Sequence, residues 1–468
     1  MRRFVLFFVL ALAVSTLPAA AAQAGPGPGG FTTDNVEWVK NLPETVAGTG
    51  GRVVKVGEQV RFYTTGLKGL FIYDVTNPGS PALLGQLLLP HLQNEDVEVS
   101  ADGSRTLISA DGGLLLPFLM QATAGLHVID TRDPKNPTKV GFVSMGSRAY
   151  PTGDHTASCA DPACNWVYGS EGNTYNITNP AAPVKLTGTQ GWQGAMRTAT
   201  GSKVTLTQGA HDMSRDASGL VSTDTIPRLI LDPRVDPAKP VVVAQSAKPW
   251  PATKNLTYQH NSERPRADQW QPRDAVLDPV GYADPAMRPG EMLIGNGETN
   301  IVPQCDGKGG TIATWSMANY NDGAAMTALD TFRPLKNGNY ADGNPAVNAL
   351  GCSGHYFDEH NNVIAAAWFE HGTRFINVDP ATGKMNEVGF WQPVVGSAGA
   401  AYWINDEYVY VADYIRGVDI IKFKRAAPAP TQEELDANWL ANLNRVATSA
   451  GSPISQREQY ICRLATED

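Results

Sequence analysis

The chain has 468 residues and a formal net charge of −9 at neutral pH, with 37 Lys and Arg residues against 46 Asp and Glu residues. Phosphate binding needs concentrated positive charge, and the sequence has no Lys/Arg cluster, so the composition argues against a nucleic-acid-binding protein and equally against binding to an anionic membrane. A chain of this length contains either two or three ordinary domains or one periodic architecture.

The N-terminal residues have the features of a secretory signal peptide. Two arginines near the start are followed by an apolar run over residues 4–12 and by the small-x-small cleavage pattern Ala-Gln-Ala at residues 22–24. We therefore expect a signal peptide over residues 1–24, a flexible N-terminus over 25–34, and a secreted, extracellular protein. No later stretch reaches the roughly 18 to 20 apolar residues that span a bilayer, so no transmembrane segment is expected.

A β-rich run that ends in a polar residue and a proline turn recurs along the chain. Clear copies lie at residues 69–78 (GLFIYDVTNP), 125–134 (GLHVIDTRDP) and 172–180 (GNTYNITNP). Weaker copies follow at residues 228–237, 311–317, 373–380 and 417–424. A four-stranded antiparallel blade cannot bury both of its faces alone and must stack on its neighbours. Seven copies therefore predict an all-β fold, a seven-bladed β-propeller over residues 35–424.

The two ends of this region complement each other. The last copy lacks an outer strand, whereas residues 35–42 (NVEWVKNL) form an orphan strand before the first blade. We predict that this strand pairs with the last blade, which closes the ring and removes its free edges. Beyond residue 424, a proline-rich linker and a capping box at Thr431 and Glu434 predict a tail over 425–468 that contains a short C-terminal helix.

The run GLFIYDVTNP is close to the pattern for which LVIVD repeats are named, and the chain resembles the LVIVD-repeat family over roughly residues 35–424. The copies at 69–78 and 125–134 match closely, whereas the copy at 311–317 departs most, because it lacks the Asp and the proline turn. The resemblance implies a propeller that is often extracellular or surface-exposed, and it implies no single activity.

Five cysteines in an exported chain favour disulfide bonds over thiolate metal sites. We expect one disulfide between Cys159 and Cys164, which are close enough to join one hairpin, and a second between Cys305 and Cys352. Cys462 is then left over. It is a buried thiol, an intermolecular link, or a sign that the pairing is different.

Alignment of the repeats places metal-ligating residue types at one end of the central channel. In a propeller blade, the start of the innermost strand and the end of the second strand lie on the same face, here called the top face. Imidazole nitrogens together with carboxylates suit a divalent ion such as copper, iron or zinc. The candidate ligands at these positions are His155, His211, His260, His355, His371, Glu95, Glu298 and Glu370. His360 falls at a turn on the opposite face.

Two classes of function remain open. The same histidines could form a purely structural hydrogen-bond network, and long insertions at residues 112–124, 299–310 and 333–353 would then bind an extracellular protein, a glycan or a small ligand. The alternative is a metal-dependent, oxidoreductase-like enzyme with a His-lined metal site at the channel mouth. No nucleophile elbow or phosphate-binding glycine loop is found, so a serine hydrolase is disfavoured and no catalytic residue is assigned.

Overall fold

The computed structural model describes the propeller region with several gaps. The described residues are 30–48, 50–89, 97–110, 125–144, 154–216, 218–246, 258–264, 292–298, 310–316, 325–334 and 353–425. Nearly all regular structure in them is β-strand. The helical pieces are single turns, at Pro43–Thr45, Gly188–Gln190 and Trp192–Ala195.

The strands are numbered in chain order. Two strands precede the first blade, and the strands through the third blade are β1 (Gly30–Thr32), β2 (Val36–Leu42), β3 (Gly51–Val56), β4 (Gln59–Gly66), β5 (Gly69–Asp74), β6 (Ala82–Leu88), β7 (Val97–Val99), β8 (Arg105–Ala110), β9 (Gly125–Asp130), β10 (Thr138–Ser144), β11 (Ala157–Cys159), β12 (Trp166–Gly169), β13 (Thr174–Asn176) and β14 (Val184–Leu186). The strands of the fourth and fifth blades are β15 (Arg197–Thr198), β16 (Met213–Arg215), β17 (Val221–Thr223), β18 (Leu229–Asp232), β19 (Val241–Ser246), β20 (Tyr258–Glu263), β21 (Met292–Glu298), β22 (Ile312–Ser316) and β23 (Ala325–Phe332). The remaining strands are β24 (Phe357–His360), β25 (Val363–Ala367), β26 (Thr373–Val378), β27 (Met385–Pro393), β28 (Ala398–Trp403), β29 (Tyr408–Asp413) and β30 (Gly417–Phe423).

These strands form the predicted seven-bladed β-propeller. Blades 1 to 7 begin at β3, β7, β11, β16, β20, β24 and β28, and within each blade successive strands pair antiparallel, with the first strand innermost. The outer strand β19 of blade 4 also pairs parallel with β15 and with β23, the outer strand of blade 5. The seven sequence repeats coincide with the third strand of each blade, namely β5, β9, β13, β18, β22, β26 and β30. The all-β fold class and the blade count are therefore confirmed. No helix in the described residues is long and apolar enough to cross a membrane.

The predicted ring closure is also confirmed. Strand β2 pairs antiparallel with β30, and the register runs from Val36 opposite Phe423 to Leu42 opposite Val418. Side chains lock this register: the Trp38 indole and the Asn41 amide each donate a hydrogen bond of 2.9 Å to the Asp419 carboxylate. Blade 7 thus combines one strand from the start of the propeller with three from its end.

Strand β1 was not predicted. The segment 25–34 was expected to be flexible, but Gly30–Thr32 forms a strand that pairs with β27 and makes blade 6 five-stranded. Its Phe31 side chain is buried, and Thr33 exchanges hydrogen bonds with the backbone of Phe390. An outer strand presents a row of unpaired N–H and C=O groups, and this explains why a short segment beside it becomes ordered.

Aromatic and branched side chains fill the spaces between neighbouring blades. Phe375 of blade 6 stacks on Phe423 of blade 7 with ring centroids 4.4 Å apart, and Trp403 packs edge-on against both rings. All three are buried. The blades therefore derive their stability from each other, as expected for units that cannot bury both faces alone.

The disulfide between Cys159 and Cys164 is present and joins the hairpin of β11 and β12. Cys305, Cys352 and Cys462 lie outside the described residues. The signal peptide and the tail with its helix lie outside them as well, and so do the three top-face insertions apart from a few terminal residues.

Closure by β2 predicts a strong dependence on the N-terminal strands. A variant that begins at residue 43 loses the buried side chains of Val36 and Leu42 and the pairing with β30. Because each such side chain contributes about 1.5–3 kcal/mol and each lost backbone pair adds to this, we expect the free energy of unfolding to fall by at least about 5 kcal/mol. Thermal and urea unfolding measure the loss. A variant that begins at residue 30 keeps β1 and β2 and is the control; equal midpoints for the two variants would contradict this role of the strands.

Candidate metal centre at the channel mouth

Four of the predicted histidines lie side by side at the channel mouth. His155, His211 and His355 each precede the innermost strand of their blade by two residues, and His260 lies within β20. The distances between ring centroids are 4.6 Å for His155 and His211, 4.1 Å for His211 and His260, and 4.1 Å for His260 and His355. Blades 3, 4, 5 and 6 thus each contribute one imidazole to a continuous row.

A carboxylate joins this row. Glu298, the last residue of β21, places Oε2 3.9 Å from Nε2 of His260, and one ligand atom from each of His211, His260 and Glu298 lies within 4.8 Å of the other two. First-shell bonds from nitrogen and oxygen to a transition metal are about 2.0–2.2 Å long, so ligand atoms on one ion are roughly 3–4 Å apart. The separations of the three groups are thus close to that range. Two imidazoles and one carboxylate are a donor set that fits a borderline divalent cation.

The protonation state of His355 follows from its hydrogen bond. Its Nδ1 atom lies 2.6 Å from the carbonyl oxygen of Gly399 in blade 7. A carbonyl can only accept, so Nδ1 carries the proton and Nε2 is the nitrogen available to an ion. This arrangement, with one ring nitrogen donating to a backbone carbonyl, is typical of histidines that bind metals.

The backbone at His211 is held by two side chains. The Asp224 carboxylate accepts hydrogen bonds from the N–H groups of His211, at 2.7 Å, and Asp212, at 2.9 Å. From the neighbouring blade, the Thr156 hydroxyl donates to the carbonyl of His211. Burial raises the pKa of Asp224, whereas the nearby Arg228 and the N–H donors favour its ionised form. These bonds fix the point at which His211 enters the channel.

A second network joins blades 4, 5 and 6 behind the imidazoles. The Asn296 amide accepts a hydrogen bond of 2.9 Å from the N–H of Asn261, next to His260, and donates to the carbonyl of His355. Arg228 donates to the carbonyls of Asn261, at 3.1 Å, and Asn296. Burial lowers the pKa of Arg228 to about 10, so the guanidinium remains charged at pH 7. One amide therefore sets the separation of two candidate ligands.

The other predicted ligands are placed differently. Glu370 and His371 lie together in the turn between β25 and β26, and His371 is fully buried with its N–H bonded to the carbonyl of Trp368. Burial and the charge of Arg374 lower the pKa of His371 to about 3, so it is neutral at pH 7. That neighbouring positive charge disfavours a cation at His371. Glu95 lies outside the described residues, and His360 binds Asp406 at 2.7 Å in an exposed position.

The sequence interpretation missed the groups that position the histidines. Asp224 directly follows β17, the second strand of blade 4, which is the position that Glu298 and Glu370 represent in their own blades. The repeat alignment therefore contained a signal for Asp224. Asn296 and Arg228 have no such signal, because their partners are backbone groups of other blades.

Comparison with known proteins gives distant likenesses only. No protein-family model matches the chain, and no curated protein matches it. Among solved structures, a candidate 6-phosphogluconolactonase from Bacteroides uniformis is 13% identical with a TM-score of 0.49, covering 78% of this chain and 90% of its own. The β-propeller domain of Cps50 (Swd1) from Myceliophteria thermophila is 12% identical with a TM-score of 0.48, covering 83% of this chain and 100% of its own. The WD40 repeats of RRP9 are 9% identical with a TM-score of 0.44, covering 85% and 100%. Such identities concern the fold alone.

The network behind the imidazoles predicts that Asn296→Ala is destabilising. The substitution leaves the buried N–H of Asn261 and the carbonyl of His355 without their side-chain partner, and an unsatisfied buried polar group costs about 1–3 kcal/mol. Chemical denaturation should show a loss of that size. Asn179→Ala is the matched control, since Asn179 lies in an exposed turn and its side chain accepts a hydrogen bond from the N–H of Ala181; we expect it to change stability by no more than about 0.5 kcal/mol. Equal losses in the two variants would remove the proposed role of Asn296.

Proposed function

We propose that this protein is an exported, metal-binding β-propeller that holds a divalent transition metal ion at the mouth of its central channel. His211, His260 and Glu298 are the central ligands, and His155 and His355 lie at either end of the row. The observation that carries the proposal is the convergence of two imidazoles and one carboxylate to within 4.8 Å of one another. The protein, glycan or small ligand expected at the top face would meet the ion there.

The arrangement favours a shared ion over a purely structural network. In a purely structural network, a backbone group or a carboxylate can satisfy the ring of a histidine. Such a network therefore gives no reason for several histidines to pack against one another. Here the His260 ring has an imidazole 4.1 Å away on each side and a carboxylate at 3.9 Å. It is also completely buried. Imidazoles packed this closely cannot all be protonated, and the neutral form is the one that binds metal.

The number of histidine ligands separates the two classes of function. Two imidazoles and one carboxylate leave coordination positions open, and such open sites occur in non-haem iron oxygenases and in catalytic zinc sites. If His155 and His355 also bind, the ion is enclosed by protein ligands, which is typical of a structural site. An oxidoreductase-like enzyme is therefore the second candidate, and the three-ligand group supports it.

Metal content tests the proposal directly. We expect wild-type protein purified without added ions to contain about one copper, iron or zinc ion per chain, as measured by elemental analysis. His211→Ala and His260→Ala should lose most of it, because each removes a central ligand, and His355→Ala should weaken binding at least tenfold. His360→Ala is the control, since this residue lies on the opposite face, and it should retain the metal. Metal-free wild-type protein that gains no metal or stability on addition of these ions would disprove the site.

The oxidoreductase-like alternative has its own test. A redox-active ion at a three-ligand site should give an electron paramagnetic resonance or visible absorption signal that changes when a reductant is added, and exogenous azide should shift that signal by entering an open position. Zinc as the only bound metal, or a signal unaffected by azide, would exclude an open redox site. The metal-binding proposal would survive either result.

A further inference from the structure

Two aromatic side chains lie beside the last imidazole of the row at the channel mouth. Phe369 lies in the turn between β25 and β26 of blade 6, and Tyr414 lies in the turn between β29 and β30 of blade 7. The ring centroid of Phe369 is 4.9 Å from that of His355, and the centroid of Tyr414 is 6.2 Å from both. Both aromatic side chains are half-buried. Blades 6 and 7 therefore present aromatic surface next to a candidate metal ligand.

The backbone holds Phe369 in an unusual conformation. Its φ of 42° lies in the left-handed region, which is rare for a bulky side chain and persists only where surrounding contacts enforce it. Here the N–H and the carbonyl of Phe369 are both bonded to Ala398 at the start of blade 7, at 3.0 and 2.9 Å. Backbone strain of this kind is concentrated at binding and active sites. The contact between the two blades thus sets the position of the Phe369 ring.

Tyr414 is also fixed by its neighbours. Its N–H donates a hydrogen bond of 2.9 Å to the carbonyl of Ser397, and its carbonyl accepts one of 3.1 Å from the N–H of Ala47. The ring packs directly on Gly399, where a Cβ atom would lie 2.9 Å from the nearest carbon of the Tyr414 ring. Gly399 is also the residue whose carbonyl binds the His355 ring. One glycine therefore brings the tyrosine ring and the imidazole together.

Exposed apolar side chains adjoin this aromatic surface. Val395, in the connector between β27 and β28, is 58% exposed, and Ile415, next to Tyr414, is 41% exposed. The connector and the turn are neighbours, because the N–H of Ser397 donates to the Asp413 carboxylate at 2.7 Å and the carbonyl of Ser397 accepts from Tyr414. Apolar groups that adjoin aromatic rings in this way are typical of a surface that binds a ligand.

The charges at the mouth determine which aromatic ligand fits. Glu298 belongs to the row, and Glu370 directly follows Phe369, so an anionic ligand would meet negative charge. The nearby Arg374 and Arg416 already form salt bridges with other carboxylates. A neutral ring avoids this repulsion and stacks on the aromatic side chains. A hydroxyl group on that ring supplies an oxygen that can occupy an open coordination position of a metal ion.

We propose that Phe369 and Tyr414 form a platform that binds the aromatic ring of a small neutral ligand, and that this ligand is a phenol. The ring lies against the two side chains, and its hydroxyl group points along the row of imidazoles towards the ion. The contact with the ring needs only the platform, whereas the contact with the hydroxyl rests on the proposed metal centre. The inference thus assigns a chemical class to the small ligand of the top face.

Calorimetric titration with p-cresol tests the platform, and 4-methylcyclohexanol is the matched ligand without an aromatic ring. We expect the wild type to bind p-cresol about fivefold more tightly, because only an aromatic ring stacks. Removal of the metal with a chelator should weaken p-cresol binding and leave the preference for the ring. Equal affinity for the two ligands in protein that contains the ion would overturn the platform. A preference for p-cresol in protein that binds no metal would count against the metal centre alone.

Substitutions of the two aromatic residues complete the test. Phe369→Leu and Tyr414→Leu keep an apolar side chain but remove the ring, so each should lower p-cresol affinity about threefold without a loss of metal. Tyr414→Phe retains the ring and should bind p-cresol as the wild type does. Tyr408→Leu is the control, since it alters a half-buried aromatic residue at the opposite end of β29, and it should leave the affinity unchanged. Wild-type affinity in both Phe369→Leu and Tyr414→Leu would overturn the proposal, and the comparison of the two ligands decides the matter if either variant does not fold.

Discussion

Pairing between β2 and β30 is the interaction on which the rest of the structure depends. Each blade has two apolar faces, and only a closed ring covers both faces of every blade. The contacts of Trp38 and Asn41 with Asp419 fix the register of that closing pair. With the ring closed, the innermost strands of all blades surround a common axis, and side chains from distant parts of the sequence become neighbours.

The candidate metal centre is a product of this geometry. His155 and His355 are 200 positions apart in the numbering, yet one intervening pair of imidazoles joins them into a single row. The three central candidate ligands come from two blades, His211 from blade 4 and His260 and Glu298 from blade 5. The site is held by the Asp224 carboxylate within blade 4 and by bonds between blades, above all those of Asn296 and Thr156. Shifting one inner strand by a single residue would turn its histidine away from the axis.

The sequence predicted the fold well because its repeats mark the third strand of each blade, where alternation and a proline turn leave a clear pattern. Gly30–Thr32 escaped prediction because it is too short to show a period. The alignment identified the four histidines that meet at the axis. It could not identify Asn296 or Arg228, since their importance depends on backbone groups of other strands and blades, and polar residues at such positions have no periodicity of their own.

The non-local closure also has a consequence for the order of assembly. Blades 3 to 6, which carry the four imidazoles, are consecutive in the chain, whereas blade 7 needs segments from both ends of the propeller. Contacts between residues this far apart in sequence form late, because the entropy of closing a long loop must be overcome first. The four histidines of blades 3 to 6 can therefore gather while the ring is still open, before the N-terminal strands dock.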